Sequence, residues 1–201
     1  RPVHNEESGY RYYTTWDLHM IIRARCYLGF GFTIEQTAEI LQKENIGEID
    51  DILSEQEQKI QQQIIYQMNV LKKLRMNRSL MKDSREQPRQ LTIQMSPAIY
   101  RINTQVNYDL ILSKEEQREI RQMCEKVPFV FSTALFRKED IEAGKTDFDF
   151  GIGIEEQFAS LLQVRQTERV QYCPSQLCIY MSVSSRSGQF WLRGSSAQKR
   201  T

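Results

Sequence analysis

Arg11 stands between Tyr10 and Tyr12, and Arg23 and Arg25 follow in the next apolar-periodic stretch. A guanidinium flanked by phenol hydroxyls suits a phosphate: the cation donates to its oxygens and a hydroxyl adds a second hydrogen bond. Arg23 and Arg25 are two apart, so on a helix they diverge by about 200°. At most one can face a phosphate backbone, and the other pairs with an acid. The alternative is that the tyrosines pack on the helix and the arginines are solvated. Later in the chain, aromatics stand near acids: Tyr100, Tyr108, Phe148, Phe150, Tyr172 and Tyr180 with Asp147, Asp149, Glu155 and Glu168. Aromatic faces around a half-buried carboxylate hold a hydrophobic cation. Strand aromatics also serve as ordinary core, and strict alternation sets Asp147 and Asp149 on a solvent face opposite Phe148 and Phe150.

Other chemistries find no support. No Cys lies between Glu48 and Gln90, Cys173 and Cys178 lack a second pair, and His4 and His19 are remote from them, so no metal site is expected. Cys26 and Cys124 read as buried, reduced thiols. There is no Gly-rich phosphate loop and no Gly-x-Ser-x-Gly, and two N-terminal histidines leave little for acid–base work. Neither an enzyme nor a cofactor is expected. The 27 Lys+Arg nearly balance the 26 Asp+Glu, so any affinity for nucleic acid must come from a local surface. No apolar run reaches the ~20 residues of a bilayer crossing and no signal-peptide core opens the chain, so no membrane partner and a cytoplasmic location are expected.

These residues need elements to position them. Arg1 to Tyr13 reads as a short β-ribbon turning through Asn5-Glu6-Glu7-Ser8-Gly9. A helix follows with Thr14 as N-cap and Asp17 in its first turn; Leu18, Ile21, Ile22, Arg25 and Leu28 form its stripe, and Gly29 or Gly31 ends it. A second helix opens with the capping box Thr33–Gln36 and buries Ile34, Thr37, Ala38 and Leu41. From Glu48 to about Met81 there is neither Gly nor Pro. Ile60, Ile64, Met68, Leu71 and Leu74 continue a narrow apolar stripe along a helix that would extend ~50 Å. Polar faces this wide favour a partner helix over the chain's own core. Its end is basic (Lys72, Lys73, Arg75, Arg78, Lys82, Arg85 and Arg89), which reads as a solvated helix end, with a DNA contact as the alternative. Residues 83–90 read as a linker closed by Pro88.

Beyond Gln90 strands alternate with helices. Leu91–Met95, Ala98–Val106, Phe129–Phe136, Asp147–Ile154, Val170–Tyr172 and Leu177–Val183 have strand character, and the glycines at 151 and 153 invite a bulge or close approach. Ser113–Glu116 is a capping box before a helix lined by Ile120, Met123, Cys124 and Val127 and stopped by Pro128.

The string Ser8-Gly9-Tyr10-Arg11-Tyr12-Tyr13, then Trp16-Asp17-Leu18, Ile22-Arg23-Ala24-Arg25, Leu28-Gly29-Phe30 and Thr33-Ile34-Glu35-Gln36-Thr37, resembles the MerR family of transcription regulators. It matches the wing hairpin and the helix pair after it. The resemblance implies that the long helix is an antiparallel dimerisation helix. From Leu91 onward the chain resembles, more weakly, the gyrase-inhibitor-like effector domain of multidrug-responsive members. The implied fold is α+β: a partial winged-helix domain (1–47), a coiled-coil dimerisation helix (48–82), a linker (83–90), and an effector-binding domain (91–188) with a mostly antiparallel sheet. The implied DNA-contacting residues are Tyr10, Arg11, Tyr12, Arg23 and Arg25. Ile60, Ile64, Met68, Leu71 and Leu74 form the dimer seam, and Tyr100, Tyr108, Phe148, Phe150, Glu155 and Tyr180 the effector site. Promoter DNA, a small aromatic or cationic effector, a second copy and RNA polymerase are the implied partners. The family's recognition helix has no counterpart here, and residues 189–201 do not match the effector domain's last strand, so a truncated or altered regulator is expected. A ligand-binding dimeric sensor or sequestering module without DNA binding is the alternative, and an inert remnant a third.

Overall fold

The computed structural model describes residues 3–4, 6–86, 89–106, 109–110, 113–145 and 147–182. The chain is α+β and divides into two compact units, Arg1–Ile65 and Tyr66–Thr201, with the boundary inside one long helix.

In the first unit, β1 (Val3–His4) pairs antiparallel with β2 (Arg11–Tyr12). The helix α1 (Thr15–Gly29) starts where expected. The Thr14 hydroxyl accepts from Asp17 N–H at 3.1 Å, and the Asp17 carboxylate accepts from Thr14 N–H at 2.8 Å. Gly31, at φ +92°, then takes the left-handed conformation that turns the chain into α2 (Ile34–Gln42). The box at its start is complete too, Thr33 Oγ1 accepting from Gln36 N–H at 3.2 Å and Gln36 Oε1 from Thr33 N–H at 2.9 Å.

The buried faces of this unit differ from expectation. No residue of α1 is fully buried. Met20, Arg23, Ala24 and Tyr27 form its half-buried stripe, whereas Leu18, Ile21, Ile22 and Leu28 are exposed. Apolar residues occupy both faces of α1, so periodicity alone cannot choose between them. On α2 the buried positions are Thr37 and Ile40, with Leu41 half-buried; Ile34 and Ala38 are exposed. Cys26 and Cys124 are exposed, because each stands on the outer face of its helix.

The long helix α3 runs Ile46–Glu86. It absorbs residues 83–86 of the expected linker, since nothing before Pro88 breaks a helix and Lys82 lies 3.9 Å from Glu86 one turn on.

In the second unit, β3 (Leu91–Met95) pairs antiparallel with β9 (Leu177–Met181) as a separate two-stranded ribbon. The main sheet has the order β5-β4-β7-β6: β4 (Ile99–Val106), β5 (Asp109–Leu110), β6 (Val130–Leu135) and β7 (Asp149–Glu155). A further strand, β8 (Gln171–Cys173), pairs with the start of β4. All pairings are antiparallel. Helices α4 (Lys114–Cys124), α5 (Lys138–Glu142) and α6 (Glu156–Ala159) complete the unit. Ser113 precedes α4 but makes no side-chain cap bond; Glu115 and Glu116 instead place negative charge in the first turn, where the helix dipole favours it. Met123 is buried and Ile120 packs beside it, while Cys124 and Val127 face solvent. Tyr108, Val183 and the 189–201 tail lie outside the described residues.

One sheet face carries the core: Ile102, Ile152 and Ile154 pack with Met123, Phe129, Phe158 and Val170. The opposite face carries Arg101, Thr133, Phe131 and the two glycines. A Cβ on Gly151 would collide with the Ile102 carbonyl oxygen and lie 3.2 Å from the Arg101 guanidinium; one on Gly153 would lie 3.2 Å from both Phe131 and Thr133. The glycines therefore let neighbouring side chains lie flat on β7, the close approach their position invited. Gly151→Ala is expected to destabilise the protein by about 1–3 kcal/mol in urea titration, because a backbone oxygen has nowhere to yield. An unchanged midpoint would mean the sheet is looser than this packing.

Candidate functional site

On β7 a carboxylate closes each end of an otherwise apolar and glycine run, and both acids are buried. Asp149 is met by Arg137, whose Nη2 donates to Oδ2 at 2.8 Å. That hydrogen bond, and the charge behind it, hold the Arg137 guanidinium above its ordinary pKa. The buried Arg101 lies across the strand. It donates to Thr133 Oγ1 at 2.9 Å, to the Asp149 carbonyl at 2.5 Å, and to Asn103. Burial pushes its pKa below the usual value, opposed by Cys173 and Asp149. Asp149 thus differs from expectation: alternation places it on the face opposite the phenylalanines, but Arg101 and Arg137 close that face to solvent.

At the other end of β7, Lys73 Nζ donates to Glu155 Oε1 at 2.7 Å, with both side chains under 10% exposed. Gln157 Nε2 donates to the second carboxylate oxygen at 2.6 Å. The ammonium also lies 5.2 Å from the Phe131 ring centre and 6.0 Å from that of Phe158. Lys73 therefore sits on the inward face of α3. Tyr66 flanks it, edge-on to Phe129 with centroids 5.9 Å apart, and Val70 and Met76 pack against the core. So this half of α3 lies over its own unit, the option its wide polar faces argued against; the inward polar residue is a lysine with a buried partner.

Helical spacing sets Met68, Leu71, Arg75, Arg78 and Lys82 within about 40° of the direction opposite Lys73, and Leu74 to one side. Met68, Leu71 and Leu74 are 65%, 45% and 54% exposed. Ile64 is exposed too, and Ile60 half-buried. The expected seam faces outward as far as Met68 and Leu71 carry it.

The expected effector residues do not converge. Tyr100 and Phe150 stand on the core face of the sheet, Glu155 on the other. Tyr100 packs on Tyr172 at 5.1 Å, and Tyr172 O–H donates to Glu156 at 2.8 Å, which raises the phenol's pKa. Phe148 packs against Phe136 at 5.5 Å. Tyr180 belongs to the β3–β9 ribbon. A cleft of about 510 Å³ lies elsewhere, between α4 and the 163–170 segment, with Met123, Val164 and Val170 as its apolar wall and Glu119, Glu125, Lys126 and Arg165 among its charged lining. Arg169 fastens this segment to α4 through Glu119 at 2.7 Å and Glu115 at 3.3 Å. The size is that of a small-molecule site. Its residues gave no sequence signal, because they come from a helix face and an irregular loop.

In the first unit Tyr10, Arg11 and Tyr12 are exposed on the ribbon. Arg25 is exposed on α1 while Arg23 is half-buried on the opposite side, so Arg25 is the one free to meet a phosphate. Among the described residues no group of three or more His, Cys, Asp or Glu could hold a metal ion, and no helix is long and apolar enough to cross a membrane.

No protein-family model matches the sequence, and no curated protein matches it. Among solved structures the chain is similar to the EcmrR–DNA complex determined by cryo-EM in EcmrR-RPo, at 19% identity over 89% of this chain and 67% of that one, with a TM-score of 0.34. That overlap is too low to assign a fold.

Lys73→Met is expected to cost about 3–5 kcal/mol by stranding Glu155, whereas Lys73→Met with Glu155→Leu should recover most of that loss. Urea unfolding of the two variants measures the difference. Equal losses in both would show that the pair does not act as a unit.

Proposed function

We propose that this chain is a homodimeric, ligand-responsive transcription regulator of MerR type and not an enzyme. The supporting observation is the presence, within one unit, of an exposed Tyr-Arg-Tyr ribbon and two helices that each open with a complete capping box. Arg11 and Arg25 would grip phosphates, with Tyr10 and Tyr12 adding hydrogen bonds. Such contacts position a protein on a duplex and carry little sequence information.

Dimerisation through α3 follows from its outward seam and its charge. Glu48, Asp50, Asp51, Glu55 and Glu57 lie in the first half of the helix, and Lys72, Arg75, Arg78, Lys82 and Arg85 in the second. Two copies laid antiparallel bring each acidic half beside a basic half, whereas parallel copies oppose like charges. The small effector would enter the α4 cleft, whose mixed lining selects no sign of charge. RNA polymerase as a further partner, and a cytoplasmic location, go with this reading.

In gel-shift titration the chain should retard duplex DNA at low salt, with log K falling linearly against log salt. Arg11→Ala should weaken binding and lower the slope's magnitude by about one. No retardation at any salt would leave the sensor module without DNA binding. For the helix, Leu71→Asp should halve the sedimenting mass, and an unchanged mass would remove the α3 seam.

A further inference from the structure

We propose that the β3–β9 ribbon is a self-association surface, its outward face seating the same face of a second copy of this chain. The ribbon's amphipathicity runs inside out. Register pairs Leu91 with Met181, Ile93 with Ile179, and Met95 with Leu177, so all six share one face. They are 45–74% exposed. The other face carries Thr92, Cys178 and Tyr180, which are half-buried, and Gln94. A two-stranded ribbon is marginal in water without something on its apolar side.

The occupant follows from charge, shape and area. No Asp, Glu, Lys or Arg occurs from Gln90 to Tyr100 or from Val170 to Ser182, in a chain that is 26% charged. A partner recognised by charge has nothing to bind here, and the edge carries none of the charges that ordinarily keep sheets from associating. The face is also nearly symmetric about the Ile93–Ile179 pair: leucine and methionine exchange places at its two ends. A half-turn leaves its chemistry unchanged, so a two-fold pairing needs no second surface. At these exposures the six side chains offer roughly 700 Å² per copy, and two closed faces about 1,400 Å², within the range of stable interfaces. This pairing is separate from the α3 seam.

Sedimentation equilibrium of the full chain in a Leu71→Asp background isolates the ribbon. The unsubstituted chain, carrying both associations, should sediment above a dimer and the Leu71→Asp variant as a dimer. Adding Ile93→Thr and Ile179→Thr should leave a monomer. Because threonine keeps β-branching and pairs well across strands, the two variants diluted to monomer should share one urea midpoint. Equal mass with and without the ribbon substitutions would overturn the proposal. So would an unchanged mass with a lowered midpoint, which would mean that residues 183–201 of the same chain cover the face. Failure of the α3 reading shows separately: Ile93→Thr/Ile179→Thr alone would then be a monomer.

Discussion

The buried pair between Lys73 and Glu155 fixes how α3 lies on the sheet of its own unit. Removing two charges from water costs several kcal/mol per ion, and attraction offsets this only where the geometry is tight. Here the carboxylate accepts from the ammonium and from Gln157, while Phe131 and Phe158 present their rings to the cation. Any other rotation of the helix would leave the Glu155 carboxylate buried with Gln157 but no cation. The pair therefore selects one rotation against all others, whatever it adds to net stability. That rotation turns Met68 and Leu71 outward.

The same logic runs along β7. Its acids stand at the two ends, and each is answered by a cation from outside the strand, Lys73 from α3 and Arg137 from the segment after β6. Between them the glycines let Arg101 and Phe131 cover the strand closely. A Cβ at 151 would collide with the Ile102 carbonyl and crowd the Arg101 guanidinium, whose hydrogen bond to the Asp149 carbonyl oxygen lies beside it. Packing and charge on this face are thus one arrangement.

Local signals were legible where local physics decides. The boxes at Thr14–Asp17 and Thr33–Gln36 close within one turn, and strand alternation located β3, β4, β6 and β7 to within a few residues. The inward position of Lys73 was not legible. A lysine on a Gln- and Glu-rich helix reads as solvated, and its partner lies 82 residues away. Asp149 failed for the same reason, because Arg101 comes from a neighbouring strand. The stripe on α1 failed differently: both of its faces are apolar enough to pass as core. The expected effector residues share chemistry, but the period of two that makes them strand residues also sends Phe150 and Glu155 to opposite faces.

Large apolar side chains remain outward on α1, along the α3 seam and on the β3–β9 ribbon. Scattered exposed apolar residues are ordinary; contiguous ones mark surfaces of association. The three differ in chemistry. The α1 face mixes Leu18, Ile21, Ile22 and Leu28 with Arg25, the α3 seam runs between an acidic and a basic half, and the ribbon face is neutral throughout. Charge gives the α3 seam a direction, so it distinguishes antiparallel from parallel pairing. The ribbon has no charge to set orientation and relies on its near-symmetry instead. A protein using both would separate the two associations by salt: added salt screens the α3 pairing and leaves the ribbon's apolar contact intact or strengthened.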